Sequence, residues 1–291
     1  MPKPEHDGHI VSVIIPTIGR ESIARTREAL ERQTRPPDEM IEVVDKERRG
    51  VSWARNEGIR RAAGDLIAVT DDDCIPPPDW LERLIKAIDT YDAAVAGGTF
   101  DEPDPLLGAI RARRKWPNLE QVDETGIVGN GGNIMYRRAW LETLQREDGY
   151  IFHEGFKTLT GEDWELVWRL RKRNAIFVYV PNSVVHTKSV TPISFLQLQF
   201  TRGMRVALLY KMQRRSKSPL PFQESLIWDH SGLTKAKNWL KAFLLKALGP
   251  FGMRGFKEKK HFWLFWLGEK LQSVGFLWGL LKTFTHPRSL Q

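Results

Sequence analysis

A chain of 291 residues with 41% hydrophobic content is long enough for one large α/β domain with a substantial core, or for such a domain plus an appendage. The formal net charge of +8 stands beside two locally acidic clusters, Asp71 to Asp73 and Glu162-Asp163. This separation predicts an acidic, metal-binding centre in a protein whose outer face attracts anions: nucleotide phosphates, nucleic acid or anionic lipid headgroups. The single cysteine, Cys74, excludes an intrachain disulfide and a cysteine metal cluster and permits a reducing, intracellular compartment.

Met1 to His9 is polar and lacks an apolar signal core, so secretion by that route is not expected. No stretch approaches the ~20 apolar residues of a spanning helix. Val11 to Thr17 is β-branched and predicts a first strand, broken at Pro16 and followed by Gly19. Helix-forming residues fill Glu21 to Arg32. Met40 to Val44 reads as a second strand ending on Asp45, and Ser52 to Ala63 as a helix with Ser52 at its N-cap and Gly64 as its stop. Asp65 to Asp73 is an apolar run that ends in three consecutive carboxylates and is closed by Pro76-Pro77-Pro78, the pattern of a buried parallel strand. The β-α-β alternation implies right-handed crossovers, and a carboxyl edge that gathers Thr17, Asp45 and the Asp71 to Asp73 cluster. Adjacent carboxylates repel one another unless a cation or hydrogen-bond donors neutralise them, which suits a divalent metal; the alternative is a solvated acidic turn or a helix cap. Ile15 to Arg20 has neither G-x-G-x-x-G nor G-x-x-x-x-G-K, which argues against dinucleotide oxidoreductases and P-loop enzymes.

Asp79 to Asp89 predicts an amphipathic helix and Asp92 to Phe100 a fourth strand. Asp101 to Thr125, with its prolines and the basic run Arg111, Arg113, Arg114 and Lys115, reads as an inserted loop or lid. The glycines of Gly126 to Asn133 allow either close backbone approach to a ligand or a β-turn. Ile134 to Tyr136 is a short apolar segment before a helix starting near Arg137. Thr160 to Trp164 opens another helix with Trp164, Val167, Trp168 and Leu170 on its apolar face, and Thr160 with Asp163 forms a capping-box pattern. Ala175 to Val180 reads as a strand whose exit carries His186, a residue type that by itself assigns no role. Ile193 to Arg215 is one long helical pattern. Lys235 to Phe284 interleaves lysines with Trp239, Phe243, Trp263, Trp266 and Trp278, which suits attachment to an anionic membrane surface; a helical subdomain or a homo-oligomer surface are the alternatives. No helix-turn-helix, zinc-finger or ribonucleoprotein signature supports nucleic-acid binding.

Val11 to Thr17, Gln33-Thr34 to Asp45, Ala54-Arg55-Asn56-Glu57-Gly58, Gly64-Asp65 to Asp73, Pro76 to Leu81 and Gly161-Glu162-Asp163 occur in this order. The ordered set, over residues 11 to about 190, closely resembles the family-two inverting glycosyltransferases with the GT-A fold. The resemblance implies an α/β fold, a Rossmann-like, mostly parallel sheet flanked by helices, as a catalytic domain over residues 1–190. Residues 191–291 would then be a helical, basic-aromatic extension at the membrane interface, with the protein cytoplasmic and peripheral on the inner face of the cell membrane. It further implies sugar transfer from a nucleotide-sugar donor, uridine being the family's commonest base, to a glycan or lipid-linked acceptor in polysaccharide or glycolipid synthesis, with Mn2+ or Mg2+. Carried over position by position, Asp163 would be the catalytic base, and Thr17, Asp45 and Arg55 would line the nucleotide. Asp73, Asp71 and His186 would hold the metal, and Asp71 or Asp72 would hold ribose or metal waters; Arg171 and Arg173 could hold donor phosphates, with a solvated basic face as the preferred reading for at least one of them. Lys46 to Gly50 departs from the second Asp and Gly-Ser segment of many relatives. A metal-dependent nucleotidyltransferase or phosphohydrolase, and a non-catalytic membrane-associated partner that kept the fold, are the competing readings. The first lacks a nucleophilic Asp on the opening strand, and the retained Asp73, Asp163 and His186 speak against the second.

Overall fold

The computed structural model describes residues 8–111, 119–123, 128, 131–156, 161–181, 184–216 and 262–281. Arg113, Arg114 and Lys115 of the expected lid, Gly126 and Gly129 of the glycine run, Thr160 of the expected capping box, and Trp239 and Phe243 of the tail lie outside them. The chain opens with β1 (Val11–Thr17), α1 (Ile23–Glu31), β2 (Glu39–Val44), α2 (Val51–Arg61) and β3 (Leu66–Val69). Every residue of β1 and β3 is buried, as a parallel strand covered on both faces requires. The expected break at Pro16 is absent: β1 stays in register with β2 through Pro16 to Thr17. Ser52 is not the N-cap of α2. Gly50 occupies that place and Ser52 lies buried inside the first turn.

After β3 come β4 (Cys74–Ile75), α3 (Trp80–Thr90), β5 (Val95–Gly97) and β6 (Phe100–Asp101). The single strand expected over Asp92 to Phe100 is thus two short strands that belong to different sheets. Next follow α4 (Pro105–Arg111), β7 (Gln121–Val122), β8 (Ile134–Arg137), α5 (Arg138–Asp148), α6 (Glu162–Arg171), β9 (Phe177–Tyr179) and β10 (Val184–His186). The large sheet has seven strands in the order β2-β1-β3-β8-β5-β9-β7. β8 runs antiparallel to both of its neighbours and β7 antiparallel to β9, so the other strands share one direction and the sheet is mostly parallel. A second sheet, β4-β10-β6, has three strands. The amphipathic face of α3, with Trp80, Leu81, Leu84, Ile85 and Ile88, packs with Val11, Val13, Ile15 and Val178 in the core. The result is the α/β architecture with flanking helices that the resemblance implies.

Two compact units divide the chain. The first holds both sheets and runs to Lys188; the second takes Asp104 with α4 and everything from Ser189 onward. In the second, the Asp104 carboxylate receives the backbone N–H groups of Leu106 at 2.9 Å, Leu107 at 3.0 Å and Val190 at 3.0 Å. Its helices α7 (Pro192–Ser216) and α8 (Phe262–Leu281) approach so closely that a Cβ on Gly203 would strike the Gln272 carbonyl, and one on Gly275 the Phe200 carbonyl. Among the described residues no helix is long and apolar enough to cross a membrane.

Candidate active site

The directions of β1, β2 and β3 bring Thr17, Asp45 and Asp71 to one sheet edge. Thr17 Oγ1 donates to Asp72 Oδ2 at 2.5 Å and accepts from the Gly19 N–H at 2.9 Å. Asp45 donates its own N–H to the Thr17 carbonyl at 2.8 Å. Its carboxylate receives the Arg49 and Gly50 N–H groups at 2.9 and 2.7 Å. Asp45 therefore organises the turn over residues 46–50. Asp72 is buried and ties Thr17 to Arg20, whose Nη1 donates to it at 2.8 Å. Arg20 also reaches Asp73 at 3.3 Å while half of its side chain stays in solvent.

The small sheet explains how His186 joins this edge. β10 pairs antiparallel with β4 so that His186 faces Cys74, and the Thr187 N–H and hydroxyl both donate to the Asp73 carbonyl, at 2.8 and 2.9 Å. His186 Nε2 then lies 3.4 Å from Asp73 Oδ1, and its Nδ1 lies 2.8 Å from Glu102 Oε2. Burial lowers the His186 pKa, but Asp73 and Glu102 outweigh it and push it up to about 9. For Asp73 burial raises the pKa, but His186 and Arg20 prevail and hold it below the usual carboxylate range.

Asp71 meets a different cation. Arg55, on α2, donates from Nη2 to Asp71 Oδ1 at 3.2 Å and from Nη1 to Glu162 Oε1 at 2.6 Å. Burial lowers the Arg55 pKa, but Asp71, Glu162 and Asp163 reverse the shift and keep the guanidinium charged. Burial raises the Asp71 pKa, which the attraction of Arg55 offsets only in part. Arg55 Nε and the Tyr136 hydroxyl are buried and have no hydrogen-bond partner among the described residues.

The antiparallel pairing of Val69 with Ile134 sets Gly131 and Gly132 beside the end of β3. A Cβ on Gly131 would collide with the Arg55 guanidinium, and one on Gly132 would lie 2.8 Å from Asp71 Oδ2. These glycines let the backbone approach the ion pair itself. The Gly131 N–H donates to Asp163 Oδ2 at 3.1 Å, and the Trp164 N–H to Asp163 Oδ1 at 2.9 Å. One contiguous group thus contains Asp71, Arg55, Glu162 and Asp163, next to Asp72, Asp73 and His186.

Asp71, Asp73 and Cys74 each offer a ligand atom within 4.8 Å of the others. Burial raises the Cys74 thiol well above its ordinary pKa, so it stays protonated and makes a poor ligand. The oxygen donors of Asp71 and Asp73, with the His186 imidazole next to Asp73, fit a hard divalent cation such as Mn2+ or Mg2+. Occupation would relieve the repulsion between the two carboxylates and displace the His186 proton. Arg173 is not brought to this edge. Its guanidinium pairs with Glu147 and Asp148, each at 2.8 Å, because it follows the carboxyl end of α6 whereas Glu162 and Asp163 open that helix. Arg171 pairs with Asp123 at 3.0 Å. Sequence reasoning missed Arg20 and Glu102, whose partners lie past strand ends far along the chain, and noted Glu162 only as part of an acidic cluster, without its partner Arg55 on α2.

Residues 21–145 match the family described as Glycosyl transferase family 2. The chain is 33% identical over 194 residues to the Glucosyl-dolichyl phosphate glucuronosyltransferase of Haloferax volcanii, covering 52% of this chain and 57% of that protein. It is 32% identical over 76 residues to Glycosyltransferase AglE of the same organism, covering 26% of this chain and 25% of that one. The chain therefore spans just over half the length of the first relative and a quarter of the second. Among solved structures it is similar to S. aureus TarS 1-349 in complex with UDP, with 15% identity, a TM-score of 0.49, and coverage of 91% of this chain and 89% of that one.

Proposed function

We propose, from the match of residues 21–145 to the family described as Glycosyl transferase family 2, that this chain moves a sugar, with inversion at the anomeric carbon, from a nucleoside-diphosphate sugar to a glycan or lipid-linked acceptor. The observation that supports this most is the position of Asp163. It is half-buried and oriented by two backbone N–H groups, one from the same glycine that packs on the cation holding Asp71. In this reading Asp163 takes the proton of the acceptor hydroxyl as that oxygen forms its bond to the anomeric carbon. The bond from that carbon to the diphosphate oxygen breaks on the opposite face, and the nucleoside diphosphate leaves with the electron pair. Thr17 and Asp45 form the floor of the nucleotide site, uridine being the favoured base. Asp71, Asp73 and His186 would hold Mn2+ or Mg2+, which when bound supplies charge neutralisation for the departing diphosphate. Arg20 takes the donor-phosphate role first given to Arg173, since it stands half-exposed against Asp72 and Asp73. The name of the first Haloferax relative supports a lipid-linked sugar as acceptor.

Calorimetry with a panel of nucleoside diphosphates, with and without chelator, tests the donor site. Binding is expected to require the divalent cation; equally tight binding in chelator would remove the metal from the reading. Asp163→Asn keeps one acceptor oxygen for the backbone and is expected to lower transfer by about 10²- to 10⁴-fold with nucleotide affinity retained. Full transfer in this variant would remove the assigned base.

The domain boundary near residue 190 and the interfacial role of the extension belong to the same reading. On α8, Leu267, Val274, Trp278 and Leu281 are exposed at spacings of seven, four and three, which lines them along one helix face. In a chain of net charge +8 this face suits an anionic bilayer surface. Co-sedimentation of the full chain with anionic vesicles at low salt is the expected result, and failure to sediment would withdraw it.

A further inference from the structure

We infer that Arg55 is a positioning residue, not a nucleotide ligand: it ties the donor-side carboxylate Asp71 to the Glu162-Asp163 pair, and Glu162 serves to hold it there. This assignment rests on the proposed transferase reading and adds to that reading what keeps the donor and acceptor carboxylates in fixed relation.

Exposure separates the two roles. The Arg55 side chain is 3% exposed, whereas 34% of its partner Asp71 reaches solvent. The carboxylate therefore faces the ligand and the guanidinium stands behind it. Both terminal nitrogens are already engaged with carboxylates, and a phosphate could reach Arg55 only by displacing one of them. Glu162, itself 5% exposed, is equally withdrawn from any substrate. The centre of the Phe152 ring lies 5.5 Å from the guanidinium carbon, and Gly131 packs against the guanidinium so closely that a Cβ would strike it.

Gly131 is also the mechanical link. Arg55 occupies the space a side chain on Gly131 would need, and the Gly131 N–H fixes Asp163. A shift of the guanidinium moves Gly131 and with it the base. The same shift frees Asp71, so one side chain sets two carboxylates that come from a strand end and a helix start. Only a planar fork can do this, because one fixed plane directs separate N–H groups at both partners, whereas a lysine ammonium is a single point charge.

The test compares wild type with Arg55→Lys and Glu162→Gln in the full chain. Transfer kinetics and the calorimetric Kd of a nucleoside diphosphate in the presence of Mn2+ are measured for each. A positioning role predicts that kcat falls by about 10²-fold, the cost of misplacing a reacting group by about an ångström, while donor KM and nucleotide Kd stay within about threefold of wild type. Arg55→Ala supplies a further readout: added guanidinium is expected to restore part of its lost kcat. A tenfold or greater loss of nucleotide affinity with kcat preserved would make Arg55 a donor ligand and overturn the inference; so would wild-type kcat in Arg55→Lys. Should Arg55→Lys fail to fold, Glu162→Gln keeps the cation and its hydrogen-bond acceptor and decides by the same two outcomes. A wild type that binds no nucleoside diphosphate would fail before any variant is made, and that result counts against the transferase reading itself.

Discussion

Helix α6 carries a buried arginine-carboxylate group at each end, and the two are built differently. Toward its carboxyl end, Arg169 donates to both oxygens of Glu165 at 2.8 and 2.9 Å, to Asp148 at 3.1 Å, to the Tyr150 carbonyl at 3.2 Å and to the Ile151 carbonyl. Its guanidinium also lies 4.2 Å from the centre of the Tyr150 ring. At the amino end, Arg55 has two carboxylate partners and a buried Nε without one among the described residues. Desolvating an ion pair costs several kcal/mol per ion, and only full hydrogen bonding recovers it. The Arg169 group meets that condition and braces α6 against the end of α5. The Arg55 group does not, and one of its carboxylates is left facing solvent. An incompletely satisfied buried network costs stability, and its place here is beside Asp71, the carboxylate to which the proposed function gives a ligand.

Breaking each arginine should therefore give opposite signatures. Arg169→Met leaves Glu165 buried, charged and without its bidentate partner, and is expected to cost about 3–5 kcal/mol of stability. In a chain of this size that lowers the melting temperature on the order of 10 °C, measured by thermal unfolding. The nucleotide affinity of the molecules that remain folded should be unchanged. Arg55→Lys should show the reverse, a large loss of kcat for a smaller loss of stability. If Arg169→Met instead reduced kcat and left the melting temperature alone, the division of α6 into a bracing end and a working end would fail.

The alternation of apolar strands with helices made the large sheet readable, and the three carboxylates after an apolar run marked its working edge. The smaller sheet was not readable. β4 and β6 are two residues long and β10 three, too short for any periodicity, yet they alone bring His186 and Glu102 to Asp73. Arg55 was expected to line the nucleotide, but its partner Glu162 lies on a helix start far along the chain, and only the fold shows that the guanidinium is buried between two carboxylates. On α6 the helical pattern selected Trp164, which is half-buried, and overlooked Glu165 and Arg169, which are buried because each satisfies the other. Ser52 was chosen as a cap by residue type alone. The structure instead uses the Asp45 carboxylate on the Gly50 N–H, a contact between residues on the two sides of the turn.

A third ionic group extends the comparison because its cation titrates. His9 Nδ1 lies 2.5 Å from Asp65 and Nε2 3.0 Å from Asp89, joining the start of β1 to the ends of α3 and of the loop before β3. Arg137 also reaches Asp89, at 3.3 Å. Burial lowers the His9 pKa, but Asp65 and Asp89 outweigh it and raise it above 6.5. A raised folded-state pKa means that the folded protein holds the proton more tightly than the unfolded chain. The added stability is therefore fully present below about pH 6.5, and is lost as the pH rises through the higher folded-state value. The two aspartates are 54% and 43% exposed, so solvent screening limits the gain to at most about 1 kcal/mol. His9→Ala should consequently melt a few degrees below wild type at mildly acidic pH, and the gap should close toward alkaline pH. Melting curves of both proteins across that range decide between charge and packing. A gap that stays constant with pH would show that the imidazole acts by its bulk, leaving Arg55 and Arg169 as the charge-dependent ties of the two.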